Sequence, residues 1–262
     1  MDKDVFERLY FLDIPVDHLT MDKAVDIILE RVQSRRKTMV FTPNVDHLVK
    51  AQFDEEFKKI YSQVDLSLVD GMPLVWVSAI FGRTLPQRIN GTNLVWKLCE
   101  LAQTRDATLF LLGAKDGITS RAAYNLQTRF PQLKIAGYYS PPFETIFDKD
   151  EVTRIIDKVN SCKPDILLVA FGPLKQEKWI YEYHRFLDSY IFLGVGGALD
   201  LISGHIRRAP KWMQDMGLEW LFRLSREPKR LWKRYLFGNT IFIYLVLKKA
   251  LSSLAPRGRS SR

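Results

Sequence analysis

Cysteine is nearly absent. Cys99 and Cys162 are the only two among 262 residues. Neither belongs to a C-x-x-C pair or a Cys/His cluster, which excludes a structural zinc site of ordinary ligand spacing. Both fall in helix-like contexts and read as buried free thiols, the state of a reducing compartment. Histidine is also scarce, with four residues, and His47, His184 and His205 show no ligand spacing. No run of about 18 apolar residues occurs, so no spanning helix is expected. The opening MDKDVFERLY lacks the apolar stretch of a signal peptide. The full G-x-G-x-x-G fingerprint is missing, which counts against a nicotinamide oxidoreductase. Two D-x-D patterns exist, Asp2/Asp4 and Asp148/Asp150. One lies at the N-terminus and one at a predicted helix start, so both read as solvated or capping carboxylates. No metal site and no cofactor are expected.

What is present is a globular composition with a lopsided charge. Apolar residues make up 47% and aromatics 12%, which excludes a largely disordered chain. The net charge of +9 is confined to the last fifth: residues 205–262 carry 14 Lys/Arg against 3 Asp/Glu, whereas residues 1–204 come to −2. Such asymmetry suggests a polyanionic partner, whether a phospholipid surface, a pyrophosphate or nucleic acid.

Apolar strand-like runs alternate with amphipathic helical stretches up to residue 204. An edge strand is predicted over 10–16, where Pro15 is tolerated. Thr20 caps a helix whose stripe is Ala24, Ile27, Ile28 and Val32. Further strands are predicted at 39–41, 66–69, 108–112, 134–139, 165–170 and 190–193. Helices are predicted at 54–62, 73–81, 92–104, 116–130 and 151–161, and one carries Lys175, Gln176 and Trp179. The alternation and the continuously apolar strands predict an α/β fold with a mostly parallel sheet and helices on both faces. From His205 no strand follows. Residues 205–250 read as a basic, amphipathic helical appendage, and 251–262 as a disordered tail. Arg223, Arg226, Arg230 and Arg234 would form one basic stripe on a continuous helix, but Pro228 predicts a new helix and a split stripe. Residues 236–247 are too short to span a bilayer and read as interrupted by Gly238 and Asn239; they suit a membrane interface.

Candidate site residues gather where predicted strands end, the edge at which parallel α/β sheets bind ligands. Thr42 and Asn44 follow one strand and either contact a ligand or cap the next helix. Asp70 follows another; it is either a helix cap or a general base for a hydroxyl. Gly194, Gly196 and Gly197 supply half of a dinucleotide fingerprint and would let backbone N–H groups approach a phosphate. Asp200 either meets a ribose hydroxyl or begins a helical turn. Arg88 binds a phosphate or makes a surface ion pair. Lys175 and Gln176 follow the Gly172-Pro173 turn, and Gly113 ends a strand.

TPN at 42–44, VDGMPLVW at 69–76, RINGTNL at 88–94, LLGA at 111–114, FGPLKQEKW at 171–179, GVGGALDLISG at 194–204 and RAPKWMQDMGLEWLFRLSREPKRLWKRY at 208–235 together resemble the WecG/TagA/CpsF family of bacterial glycosyltransferases (glycosyltransferase family 26). The resemblance spans about residues 10–245. It implies a Rossmann-like fold and metal-free, inverting transfer of a sugar, such as N-acetylmannosamine, from a UDP-sugar to a polyprenyl-diphosphate-linked acceptor. It implies that Asp70 is the base, that Thr42, Asn44 and Gln176 line the donor-sugar pocket, and that Arg88 with Arg223, Arg226 and Arg230 steadies the diphosphate. It further implies that the appendage docks peripherally on the cytoplasmic face of the bacterial plasma membrane and helps complete the active site, with no nucleic-acid partner. The apolar appendage surface suits either a membrane or a second subunit. A non-enzymatic membrane-surface or nucleic-acid binder is the competing expectation.

Overall fold

The structure is a computed structural model that describes residues 6–254, apart from the side chains of Arg230, Lys233, Arg234 and residues 252–254. It opens on a hairpin rather than the single edge strand expected over 10–16. β1 (Arg8–Phe11) and β2 (Ile14–Asp17) pair antiparallel. Leu12 and Asp13 join them at φ of 48° and 66°, the left-handed geometry of a tight hairpin turn. The Asp17 carboxylate pins this hairpin to the body, accepting from Arg8 Nε at 2.6 Å and from the Ser67 backbone N–H at 2.7 Å.

The main domain then alternates as expected. α1 (Met21–Gln33) starts where the Thr20 hydroxyl accepts from the Lys23 N–H. There follow β3 (Thr38–Phe41), α2 (Val45–Ala51), α3 (Glu55–Ser62), β4 (Leu66–Ser67), α4 (Met72–Ile80), α5 (Gly91–Ala102) and β5 (Thr108–Gly113). The second half runs α6 (Ile118–Arg129), β6 (Lys134–Tyr139), α7 (Lys149–Cys162), β7 (Ile166–Ala170), α8 (Lys175–Tyr183), a 3-10 turn at His184–Phe186, β8 (Ile191–Gly194) and α9 (Ala198–Ile202). Six strands form one sheet in the order β4-β3-β8-β7-β5-β6, every pair parallel. The fold is Rossmann-like α/β, as the alternation predicted.

β7 and β8 are buried along their whole length because helices cover both faces of the sheet. On one face Ile28 of α1, Leu94 and Leu98 of α5, Leu126 of α6 and Leu199 of α9 form a single apolar layer. On the other, Leu48 of α2, Phe57 of α3, Ile155 of α7 and Trp179 of α8 form a second. β4 is shorter than predicted. Beyond it, Leu68 and Asp70 follow β3 through single hydrogen bonds from their N–H groups to Phe41 O and Pro43 O, each 2.8 Å.

The appendage contributes α10 (Lys211–Asp215), α11 (Glu219–Arg226) and α12 (Pro228–Leu254). Pro228 does begin a new helix, so Arg223 and Arg226 lie on α11 while Arg230 and Arg234 lie on α12. The predicted interruption at Gly238 and Asn239 is absent: α12 is continuous for 27 residues. A mid-helix glycine costs about 1 kcal/mol, and the burial of Leu231 and Phe242 on either side of it offsets that cost. Phe242 belongs to the same buried layer as Leu48 and Phe57. α12 therefore packs on the core and extends beyond residue 250; residues 255–262 of the predicted tail lie outside the described residues. No helix among the described residues is long and apolar enough to cross a membrane. Both cysteines are free, but only Cys99 is buried. Cys162 is exposed because it ends α7, past the buried stripe that closes at Val159.

Candidate active site

The carboxyl ends of β4, β3, β8, β7 and β5 share one edge of the sheet. In parallel α/β sheets ligands bind in a crevice outside the strand carboxyl ends, and the loops that follow β3, β4 and β8, three neighbouring strands, gather at that edge. Thr42, Asn44, Asp70, Gly113, Gly196 and Gly197 all lie along this edge. Gly113, at φ of 105°, packs so closely on the neighbouring strand that a β-carbon there would fall 2.7 Å from Ala170 O. Its role is the contact between β5 and β7.

Asp70 is not a helix cap. The residue preceding α4 is Gly71, at φ of 149°, and no side chain caps that helix. The Asp70 carboxylate is left half-buried, and Asn90 Nδ2 donates to its Oδ1 at 3.4 Å. Burial pushes its pKa above the ordinary carboxylate value. Arg88 opposes that rise most strongly, Glu219 adds to it, and Arg223 and His47 pull against it. A carboxylate held in this way is a stronger base than a solvated one while still near charges that keep it ionisable.

Thr42 and Asn44 flank Asp70. A β-carbon at Gly91 would lie 3.7 Å from Thr42 Oγ1, and one at Gly71 would lie 3.8 Å from the Asn44 β-carbon. The three loops after β3, after β4 and before α5 are thus in mutual contact. Asn44 does cap α2, since its Oδ1 accepts from the Asp46 N–H at 3.0 Å. The capping alternative is correct for Asn44.

Arginines meet Asp70 from two directions. Arg88 leaves the loop before α5, and Arg223 leaves α11. Between them sits Glu219, 5% exposed. Its Oε2 lies 3.4 Å from Arg88 Nη2, and its Oε1 lies 3.3 Å from Arg208 Nε and 4.0 Å from Arg223 Nη2. Arg208 also donates to Asn93 Oδ1 at 2.7 Å and to Asn90 Oδ1 at 3.4 Å. Arg226 points elsewhere, over the Phe222 ring at 5.5 Å, and the Arg230 side chain lies outside the described residues. Among the described residues, no three His, Cys, Asp or Glu side chains gather into a metal-binding group.

The glycine turn differs from its sequence expectation. The Gly196 N–H donates to Gln176 Oε1 at 2.9 Å, so it is engaged inside the protein and not offered to a phosphate. Gln176 is buried, and its Nε2 donates to Glu177 Oε1 at 2.8 Å, so both ends of its amide are committed internally. Lys175 is exposed and lies over the Phe143 ring at 4.0 Å, by the loop after β6 and away from the arginines. Asp200 is half-buried in the five-residue helix α9, its carbonyl accepting from the Ile206 N–H at 3.1 Å.

Residues 9–256 match the glycosyl transferase WecG/TagA/CpsF family. The chain belongs to that family. It is 29% identical over 225 residues to the N-acetylglucosaminyldiphosphoundecaprenol N-acetyl-beta-D-mannosaminyltransferase of Bacillus subtilis (strain 168), covering 86% of this chain and 85% of that one. The proteins of the same description from Bacillus spizizenii and Staphylococcus aureus (strain MW2) are 29% and 28% identical, over 86% and 92% of this chain and 84% and 92% of theirs. As a WecG/TagA/CpsF glycosyltransferase the chain is an enzyme, a hexosyltransferase. The non-enzymatic binder and the nicotinamide oxidoreductase fall away.

Three site residues escaped the sequence: Asn90, Arg208 and Glu219. Asn90 had a local signal, an Asn before a helix, and it does cap α5 by accepting from the Thr92 N–H at 3.0 Å. Arg208 and Glu219 had none, because the contacts that bring them to the site, with Asn90, Asn93 and Arg88, span more than a hundred residues.

Proposed function

We propose that this hexosyltransferase moves N-acetylmannosamine, or a related hexose, from a UDP-sugar to a sugar carried on a polyprenyl diphosphate, with inversion and without a metal, in bacterial cell-wall or exopolysaccharide synthesis. The acceptor is taken from the names of the relatives, which act on N-acetylglucosaminyldiphosphoundecaprenol. The observation that carries the chemistry is the half-buried Asp70 carboxylate with Arg88 and Arg223 bearing on it from core and appendage.

Asp70 takes the proton of the acceptor hydroxyl, and the oxygen attacks the anomeric carbon from the face opposite UDP. The C–O bond to UDP breaks and the electron pair leaves with the diphosphate. In the absence of a metal, the growing negative charge is met by guanidinium groups, Arg88 and Arg223 first, with Arg230 on α12 in reserve. Thr42 and Asn44 face the donor sugar.

The appendage supplies the membrane contact. Its basic excess suits anionic headgroups. Trp212, Trp232, Phe237, Ile243, Leu247 and Leu251 present apolar side chains at the surface, as an interfacial segment does. The enzyme would then work peripherally on the cytoplasmic face, where UDP-sugars are made.

The test is a mass-spectrometric product assay with a panel of UDP-sugars and a lipid-diphosphate-linked N-acetylglucosamine, in EDTA. A product heavier by one N-acetylhexosamine from UDP-N-acetylmannosamine supports the assignment. No product from any UDP-sugar, or product only after a divalent metal is restored, overturns it.

A further inference from the structure

Beneath the crevice a buried polar chain joins two of its loops. The Asn44 N–H donates to His47 Nδ1 at 3.3 Å. The other ring nitrogen, Nε2, faces Glu177 Oε1 at 3.5 Å. The same Glu177 oxygen accepts from Gln176 Nε2, and Gln176 Oε1 accepts from the Gly196 N–H. The chain therefore starts at the loop after β3, which carries Thr42 and Asn44, and ends at the glycine turn after β8.

Its members are sealed from solvent. His47, Gln176 and Glu177 are 3%, 3% and 0% exposed. The imidazole is held in an aromatic wall, stacked on Phe57 at 6.0 Å and meeting the Tyr61 ring at 6.2 Å. His47 Nε2, Glu177 Oε2 and the Tyr61 hydroxyl have no hydrogen-bond partner among the described residues, so the His47–Glu177 link is a close polar contact and the links on either side of it are hydrogen bonds. Gly194 is required by the same contact, since a β-carbon there would fall 2.9 Å from Gln176 Nε2. A buried ionisable pair with unmet lone pairs is a poor route to stability, and well-packed apolar residues of equal volume do as well or better. What the polar chain provides and an apolar pair cannot is a directional link between the two loops.

We propose that His47 and Glu177 are positioning residues for sugar transfer, holding the Thr42–Asn44 loop and the Gly196 turn in one register through the Gln176 amide. Neither touches the reacting atoms. The idea rests on the transferase reading above, because the loops matter only if the donor sugar sits between them.

The experiment compares His47→Leu, His47→Gln and Glu177→Gln with the wild type, by steady-state kinetics and by hydrogen exchange at Asn44 and Gly196. His47→Leu is expected to lower kcat by about a hundredfold, the loss typical of an ångström-scale misplacement, with KM for the lipid acceptor unchanged. His47→Gln is expected to restore most of kcat, because glutamine at this third helical position keeps an acceptor for the Asn44 N–H and a donor toward Glu177. Amide protection at Gly196, 149 residues from His47, is expected to fall in His47→Leu and in Glu177→Gln while β6 stays protected. Wild-type kinetics in His47→Leu, equal damage in His47→Leu and His47→Gln, or unchanged protection at Gly196 would each overturn the proposal. If the wild type transfers no sugar, the transferase reading fails by itself, and the exchange data still decide whether the two loops are linked.

Discussion

Glu219 Oε2 lies 3.4 Å from Arg88 Nη2, although 131 residues separate the two in sequence. Glu219 is the first residue of α11, and Arg88 bears on Asp70 from the core. The contact brings the appendage against Arg88, beside the candidate site. The near-neutral core and the basic appendage are two contributors to one electrostatic field, with a buried carboxylate keeping the arginines apart and oriented.

Asp70→Asn is expected to lower transfer by about 10²- to 10⁴-fold, the usual contribution of a general base, while UDP binding persists. The same substitution is expected to raise the melting temperature at pH 7. Burial places the folded-state pKa of Asp70 above its unfolded value, so the ionised group opposes folding. That cost is absent below the ordinary carboxylate pKa and complete once the pH exceeds the raised folded value. The stabilisation by asparagine should accordingly shrink as the pH is lowered toward 4. Calorimetry of both proteins over that range checks the sign, and a lower melting temperature for the variant at pH 7 would refute it.

The pH dependence of kcat/KM should expose the charges around Asp70. Its acid limb reports the ionisation of the base. Arg88→Gln removes the cation that most lowers the Asp70 pKa, and Glu219→Gln removes an anion that raises it. The limb is expected to move to higher pH in the first variant and to lower pH in the second. Shifts in the same direction would mean that the limb belongs to another group.

Much of the fold was legible, because central strands buried on both faces read as unbroken apolar runs, as at Leu109–Leu112 and Ile166–Val169. The hairpin was not, since Leu12-Asp13 carries none of the glycine or asparagine that usually marks a left-handed turn. Gly238 was misread as a break because the packing of Leu231 and Phe242, which overrides it, is tertiary. Asp70 was legible as one of two things, and Gly71 decided between them by taking the position before α4. The glycine turn shows the limit most clearly. Its local pattern is that of a phosphate cradle, but the Gly196 N–H goes to Gln176, twenty residues upstream, which no local pattern records.

Arg8→Ala is expected to cost about 3–5 kcal/mol in urea denaturation, the range for stranding one member of a buried ion pair. Asp17 is 1% exposed, and Arg8 meets both of its carboxylate oxygens, at 2.6 and 3.1 Å. Burial already pushes the Asp17 pKa up, with Arg8 the chief opposing influence. Without Arg8 the folded value rises further, so the variant should lose more stability at pH 8 than at pH 5. The double variant Arg8→Ala/Asp17→Asn should recover part of the loss at pH 8, and no recovery would show that the carboxylate charge is not the cause.

Closure of the appendage over the crevice can be tested at Gly217. This residue turns the chain from α10 into α11 at φ of 74°, and a β-carbon there would fall 2.5 Å from Met72 Cγ. Met72 begins α4 two residues after Asp70, so Gly217→Ala must push the turn off the segment that carries the proposed base. Backbone strain of about 1–2 kcal/mol accompanies alanine in the left-handed region, and Gly117→Ala controls for it. Gly117 has φ of 75° with nothing within 4 Å of its would-be β-carbon. Gly217→Ala is expected to lower kcat/KM at least about tenfold, as misplaced catalytic groups do, and to move Arg223 away from Asp70. Gly117→Ala is expected to shift the melting temperature by a similar amount and leave transfer intact. If both variants lose transfer equally, strain alone is responsible; if Gly217→Ala keeps full activity, the reaction does not depend on how tightly the turn seats on Met72.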